Sequence, residues 1–277
     1  MAYQPVVPLT GIAGWRFLER THAKQQAAFE NGAELRREIA YFEENIASVK
    51  SAADLVGDRR LLKVALAAFG LESEIDKKAF VRKVLEEGTT AEGAMATRLT
   101  DPAWRKLSAA FGFGDGGART GQAGFAPAIV SAYKARAFEA AVGNADNAMR
   151  LALNFRREIA ALAAGEGGSW YSILGSKPLR QVVEKAFGLP AQFAQIDIDK
   201  QADTLKDRCD RLFGSDALTV FQDKAAVDKL IDRFLARTQI EDGVAASGPA
   251  ANALTLLRGM TASGGASGLW NLLSSKG

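Results

Sequence analysis

One segment of the chain has the spacing of a nucleotide-binding glycine motif. Gly112-Phe113-Gly114-Asp115-Gly116-Gly117 fits G-x-G-x-x-G, but a dinucleotide site needs a strand before the glycines and a helix that begins at them. Here a helical pattern precedes the motif and further glycines follow it. The motif is therefore interpreted as part of a flexible linker, and the sequence predicts no nucleotide or other cofactor.

Four carboxylates lie close together in a second segment. Asp197, Asp199, Asp203 and Asp207 could supply the oxygen ligands that a hard cation prefers, but the run lacks the glycine and the terminal glutamate of a calcium-binding loop. The spacing of the last three instead places them on one face of a helix, beside basic residues. This pattern is typical of a solvated helix face, and no metal site is predicted.

The residue types needed for nucleophilic or acid–base catalysis are scarce. The chain has one histidine, His22, and one cysteine, Cys209, which are far apart in sequence and have no partners for a triad or a metal site. The pairs Glu43-Glu44 and Glu86-Glu87 are adjacent residues, which point about 100 degrees apart on a helix. We therefore expect no catalytic residues and a protein that is not an enzyme.

Composition excludes several other classes. The 277 residues carry 35 basic and 32 acidic side chains that are interspersed, so a nucleic-acid surface is not indicated. No stretch approaches the ~20 apolar residues of a membrane helix, and the first ten residues do not resemble a cleavable signal peptide. The expected location is cytoplasmic, or on a larger assembly reached without such a signal.

The chain repeats itself at an offset of about 120 residues. Arg36-Arg37-Glu38-Ile39-Ala40 returns as Arg156-Arg157-Glu158-Ile159-Ala160. Further matches pair Arg16 and Glu19 with Arg136 and Glu139, Ala68-Phe69-Gly70-Leu71 with Ala186-Phe187-Gly188-Leu189, and Lys106-Leu107 with Lys229-Leu230. A unit this long is a duplicated assembly, because solenoid repeats have periods of about 20 to 50 residues.

Apolar residues recur at spacings of three and four throughout both halves, which predicts an all-α fold. Glycines at 70, 112 and 188 are expected to end helices in the left-handed conformation, and Asp101-Pro102 to begin one. Phe69 and Phe187 should then be equivalent core anchors, and residues 170–174 a short turn. The predicted divisions are an extended arm (1–14), a first helical lobe (15–113), a glycine-rich linker (114–126), a second lobe (127–242) and a flexible tail (243–277).

The tail is rich in alanine, glycine and serine, with two short apolar runs. Such a segment has too few apolar residues for a core of its own, yet enough to need a surface to dock on. The candidate docking residues are Leu254, Leu257, Leu269, Trp270 and Leu273.

Several segments together resemble an alphaproteobacterial family of unknown function, DUF1217, which is commonly encoded within flagellar gene regions. They are Gly14-Trp15-Arg16-Phe17-Leu18, Pro178-Leu179-Arg180, Ala186-Phe187-Gly188-Leu189-Pro190, Ile198-Asp199-Lys200-Gln201 and Arg233-Phe234-Leu235-Ala236-Arg237. The resemblance implies a flagellar context and supplies no catalytic residues. Two functions follow as expectations: a structural or assembly protein of the flagellum that contacts protein partners or its own copies, or a cytosolic export chaperone or regulator that binds an amphipathic client segment between the lobes.

Overall fold

The computed structural model describes residues 3–165 and 168–247, with the backbone alone for 244–247. These residues form an all-α protein, as the sequence predicts, and contain no strand. The helices are α1 (Gly11–Glu30), α2 (Ala33–Asn45), α3 (Ala52–Gly57), α4 (Arg59–Phe69), α5 (Lys78–Glu87), α6 (Met95–Arg98), α7 (Pro102–Phe111), α8 (Phe125–Ala145), α9 (Asn147–Ala164), α10 (Trp170–Gly175), α11 (Lys177–Phe187), α12 (Ile198–Phe213) and α13 (Lys224–Ser247). Short 3-10 helices span Ile46–Ser48, Glu72–Glu74, Ala191–Gln195 and Leu218–Gln222.

The predicted helix ends are confirmed. Gly70, Gly112 and Gly188 follow α4, α7 and α11 with φ of 77°, 70° and 70°, a conformation in which a side chain would be strained. Asp101 accepts a hydrogen bond from the Ala103 N–H, and Pro102 occupies the first turn of α7. Local sequence therefore determines where these helices stop and start. Residues 170–174, predicted as a short turn, form helix α10 instead, with a Ser169 side-chain cap.

Two hydrophobic cores form, and they do not follow the predicted lobe boundaries. The first core joins α2 to α7 with the N-terminal half of α8, through Ile129, Val130 and Tyr133. The second core joins α9 to α13 with the C-terminal half of α8 and with α1, through Trp15 and Leu18. Helix α1 thus belongs to the second core, although it precedes the first in sequence, and the predicted division at 15–113 and 127–242 must be corrected.

The physical reason lies in the pairing of the long helices. Helices α8 and α9 pack as an antiparallel pair, whereas α1 and α2 separate after Asn31 and Gly32. Apolar residues of α1 are therefore buried against α13, α8 and α9, while α2 packs on α4 and α8. Each core takes a long helix from the other half of the sequence, so the two cores are interlocked.

The two halves share an order of elements. A long helix, a second long helix, a six-residue helix and an eleven-residue helix occur as α1 to α4 and again as α8 to α11. A 3-10 turn and a further helix follow in each half. These correspondences concern order and length, and the duplication itself stays a prediction.

The N-terminal arm and the glycine-rich loop are both fastened to helices. The Gln25 side-chain amide accepts from the Val6 N–H at 2.7 Å and donates to the Val6 carbonyl at 3.1 Å, as a neighbouring strand would. Residues 3–10 form no helix, and α1 begins at Gly11 instead of after residue 14. Residues 243–277 are predicted as a tail, but helix α13 extends to Ser247, and residues 248–277 lie outside the described residues.

In the loop predicted to be a flexible linker, one carboxylate makes four hydrogen bonds. Asp115 accepts from the backbone N–H and the hydroxyl of both Thr89 and Thr90, at 2.7 to 3.0 Å. Burial acts to raise the pKa of Asp115, but these bonds outweigh it and lower the pKa to about 2. The buried Thr120 hydroxyl donates to the Val49 carbonyl at 2.6 Å. The loop is therefore attached to the first core at both ends.

Phe187 and Phe69 provide a matched test of the second core. Phe187 is 5% exposed, whereas Phe69, at the same position of the corresponding helix, is only partly buried and lies on a groove. We expect Phe187→Ala to lower the free energy of unfolding by about 3–5 kcal/mol, and Phe69→Ala by about 1–2 kcal/mol. Urea unfolding followed by circular dichroism measures both. Equal losses would contradict the difference in burial.

Candidate functional site

The repeated Arg-Arg-Glu sequence in α9 lies where the two cores meet. Arg157 makes a two-pronged ion pair with Glu139 of α8, with nitrogen–oxygen distances of 2.7 and 2.9 Å. The Glu158 carboxylate forms ion pairs with Arg136 of α8 and Lys106 of α7, at nitrogen–oxygen distances of 2.5 and 2.9 Å. Helices α7, α8 and α9 are thus joined by one network of charges, and Lys106 extends it across the boundary between the cores.

The network fixes the protonation state of its central carboxylate. Burial alone would raise the pKa of Glu158, but Arg136, Lys106 and Arg157 lower it to about 2. Burial and the neighbouring Arg157 lower the pKa of Arg136, which Glu158 opposes. Glu158 is therefore ionised at neutral pH, and its low pKa makes it a weak base there.

The third charged residue of the segment faces the other side of α9. Arg156 binds Glu19 of α1 at 2.5 Å and Asp228 of α13 at 2.7 Å, and its guanidinium lies 4.6 Å from the centre of the Trp15 ring. Arg16 binds Asp232 of α13 at 2.6 Å. This second group of charges attaches α1 to the second core.

A groove opens beside the first network, between α4 and α7 of the first core and α9 to α11 of the second. It has a volume of about 350 Å³. Its lining combines charged, polar and apolar side chains: Phe69, Gly70, Asp101, Pro102, Ala103, Arg105, Lys106, Ala109, Arg136, Asn154, Glu158, Leu162, Ser172, Ser176, Pro178 and Leu179. This inter-core groove is the candidate functional site of the described chain.

The groove contains the end of one helix and the beginning of another. Arg136 donates from Nε to the Ala68 carbonyl at 3.0 Å, which satisfies a carbonyl at the C-terminus of α4. The first residues of α11 follow Ser176, which makes no side-chain cap. Backbone donors at the start of α11 therefore lie at the groove together with the guanidinium of Arg136.

His22 and Cys209 have structural roles in the fold. The His22 ring packs edge-on against Phe138 at 5.2 Å between ring centres, and burial and the nearby Arg156 lower its pKa. Cys209 is fully buried on α12, and burial raises its pKa to about 12. Neither side chain lines the groove.

The glycine motif and the aspartate run are on the surface elements that the sequence suggests. A helix, α7, ends directly before Gly112, so the motif has the helix on the wrong side for a dinucleotide site. Asp197 caps α12 by accepting from the N–H groups of Asp199 and Lys200. Asp199, Asp203 and Asp207 are exposed on α12, and no group of metal-ligating side chains is present among the described residues. The candidate docking residues Leu254, Leu257, Leu269, Trp270 and Leu273 lie outside the described residues.

The groove residues were not recognisable as a site from sequence. They come from six helices, and the sequence drew attention to Phe69, Gly70 and Glu158 only as members of repeated segments. The signal that could have found more is the match of Arg16 and Glu19 with Arg136 and Glu139. Glu19, Arg136 and Glu139 prove to be ion-pair partners of the repeated segment in α9, whereas Arg16 pairs with Glu19 and Asp232.

The fold and groove define an all-α protein of two interlocked helical cores. The chain belongs to the family described as a protein of unknown function, DUF1217, whose model matches residues 68–227. A crystal structure of a protein from Agrobacterium tumefaciens, from a structural genomics consortium, is 28% identical with a TM-score of 0.71. The similarity covers 86% of this chain and 99% of that chain. A comparison with curated proteins finds no match. None of the described helices is long and apolar enough to cross a membrane.

The charge network predicts a specific dependence of stability on pH. The pKa of Glu158 is lowered from 4.5 to about 2 by folding, so its stabilising effect is complete above about pH 4.5 and is lost as the pH falls toward 2. We expect Glu158→Gln to lower the free energy of unfolding by about 3 kcal/mol at pH 6, with the difference from wild type shrinking toward pH 3. Urea unfolding at pH 6, 5, 4 and 3 measures it.

Glu43→Gln is the matched control, because Glu43 is exposed on α2 and the charge change is the same. Its difference from wild type should stay near zero at every pH. A Glu158→Gln difference that is constant from pH 6 to pH 3 would contradict the prediction.

Proposed function

We propose that this protein is a non-enzymatic structural or assembly component of the flagellum that acts through helical protein–protein contacts. The flagellar context is carried by the resemblance to a family commonly encoded in flagellar gene regions. The protein–protein part is argued from the surface and the charges of the described chain. Either a distinct protein or a second copy of the chain could be the partner.

The observation that carries the proposal is a set of large apolar side chains that folding leaves in solvent. Tyr171, Ile196 and Ile198 are between 44% and 48% exposed and lie close together, since the Tyr171 hydroxyl donates to Asp199 next to Ile198. Single exposed apolar residues are ordinary, but a group of three at the junction of α10 and α12 is typical of a contact surface. Val6, Leu9 and Ile12 form a second exposed group along the N-terminal arm.

The state of the titratable groups supports a role without chemistry. Proton transfer near pH 7 needs a group whose pKa lies near 7. The pKa of Glu158, which is only slightly exposed, is about 2, and that of the buried Cys209 is about 12. The ion pairs of Arg156, Arg157 and Glu158 join neighbouring helices. Such cross-links suit a protein with a structural role.

The alternative is an export chaperone or regulator that binds an amphipathic client segment between the cores. The inter-core groove favours this alternative, since the groove has apolar walls and lies between the two cores, where the client segment is expected to bind.

Cell fractionation tests the proposal and the alternative together. The full chain is compared in motile cells with a chain that ends at Ser247, the last residue of α13. We expect the full chain in the basal-body or medium fraction, and the shortened chain in the cytosol with a melting temperature within about 2 °C of the full chain. The reason is that a tail with apolar runs contributes to association while the cores bury their own apolar faces.

A second variant separates the apolar side chains from the length of the tail. Serine replaces Leu254, Leu257, Leu269, Trp270 and Leu273 in the full chain, and alanine replaces Ser274 and Ser275 in the control. The first variant should behave as the shortened chain and the control as wild type. Full chain found in the cytosol alone, bound to an export client, would favour the chaperone.

A further inference from the structure

The inter-core groove holds a buried polar side chain with no hydrogen-bond partner in the described chain. Asn154 of α9 is 5% exposed, and its Oδ1 atom is buried and unpartnered. Buried amides are nearly always hydrogen-bonded, because an unsatisfied one loses its bonds to water without replacement. Asn154 lines the groove, so a rotation of its side chain would present Oδ1 to an N–H or O–H group of a ligand.

The start of helix α11 adds backbone donors at the same groove. Ser176 at its N-cap makes no side-chain hydrogen bond to the helix, and Pro178 has no N–H to offer. The Leu179 N–H therefore has no cap, and it lies at the positive end of an eleven-residue helix. An anion bound here would complete the helix terminus.

Two guanidinium groups reinforce the preference for an anion. Arg105 is exposed on α7 and makes no ion pair within the described residues. Arg136 donates from Nε to the Ala68 carbonyl and from Nη2 to Glu158. Its Nη1 makes no hydrogen bond within the described residues. Nη1 lies 2.7 Å from the place that a Cβ on Gly70 would occupy, so the absence of a side chain there leaves it room.

The acidic side chains of the groove already have hydrogen-bond or ion-pair partners within the protein. Asp101 caps α7, and Glu158 is held by Lys106, Arg136 and Arg157. The apolar part of the lining includes Phe69, Leu162 and Leu179. A volume of about 350 Å³ is at the lower end of the range of small-ligand sites.

We propose that the inter-core groove binds a carboxylate carried on a compact apolar body, with an adjacent N–H for Asn154. The carboxylate would accept from Arg105, Arg136 and the start of α11, and the apolar body would lie against Phe69 and Leu162. The same chemistry occurs in a free organic acid and in the C-terminal residue of a peptide. This inference does not depend on the flagellar role proposed above.

The probe pair is N-acetyl-L-phenylalanine and its neutral carboxamide, which differ only in the carboxylate. Each is titrated into the full chain while two-dimensional amide NMR spectra are recorded. For a ligand of this size we expect a dissociation constant of about 1 mM for the acid, and binding at least tenfold weaker for the carboxamide. The Asn154 side-chain amide and the Leu179 N–H should shift most.

Three variants test the residues named. Arg105→Ala should weaken binding of the acid about tenfold, and Arg36→Ala, which removes an exposed arginine from α2, should leave it unchanged. Asn154→Leu should weaken binding and also raise the melting temperature of the free protein, because an unsatisfied buried amide is removed. A merely structural Asn154 would give a lower melting temperature.

A tetrapeptide, acetyl-Ala-Ala-Leu-Phe with a free C-terminus, separates the two sources. Binding at least tenfold tighter than that of N-acetyl-L-phenylalanine would assign the site to a peptide end, and equal binding to a free organic acid. The proposal is overturned if neither acid binds at 10 mM, if acid and carboxamide bind equally, or if Arg36→Ala weakens binding as much as Arg105→Ala.

Discussion

The arrangement of the molecule depends on the ion pairs of Glu158. Its carboxylate receives Lys106 of α7 and Arg136 of α8, besides Arg157 of its own helix. A buried carboxylate is costly unless it is fully paired, and removing one partner leaves the other charges uncompensated. The orientation of α7, which belongs to the first core, is therefore coupled to the orientation of α8 and α9, and the inter-core groove takes its shape from that coupling.

The interlocked cores follow from the same constraint. Helix α8 contributes to the first core with its N-terminal half and to the second with its C-terminal half, and Arg136 lies between the two. In the first core, Arg136 of α8 donates to Ala68 at the end of α4. In the second, Arg233 of α13 donates to Ala186 at the end of α11, at 3.3 Å. Helix α8 thus packs on α4 in the same way as α13 packs on α11. The sequence repeat, in contrast, matches α8 with α1.

Local features of the fold were predictable and long-range ones were not. The left-handed glycines after α4, α7 and α11 and the cap at Asp101 are decided by neighbouring residues, so the sequence suffices for them. The placement of α1 in the second core is decided by contacts between Trp15 and helices more than 100 residues away, for which the pattern of apolar residues contains no signal. The groove could not be predicted for the same reason, because nothing in the sequence indicates that the Asn154 side chain lacks a hydrogen-bond partner.

The repeated pentapeptide shows how far identical residues can differ in role. In the second copy, Arg156 and Arg157 bind carboxylates from α1, α8 and α13. In the first copy, Arg36 and Arg37 are exposed and make no ion pair within the described residues, while Glu38 pairs with Lys63 and accepts from the Tyr133 hydroxyl.

The difference arises because α9 is covered by four helices, α1, α8, α11 and α13, whereas α2 is covered mainly by α4 and α8. Surrounding helices, and not the repeated residues, therefore decide which copy forms a site. The groove lies beside the second copy, where residues of α7, α9 and α11 line it together.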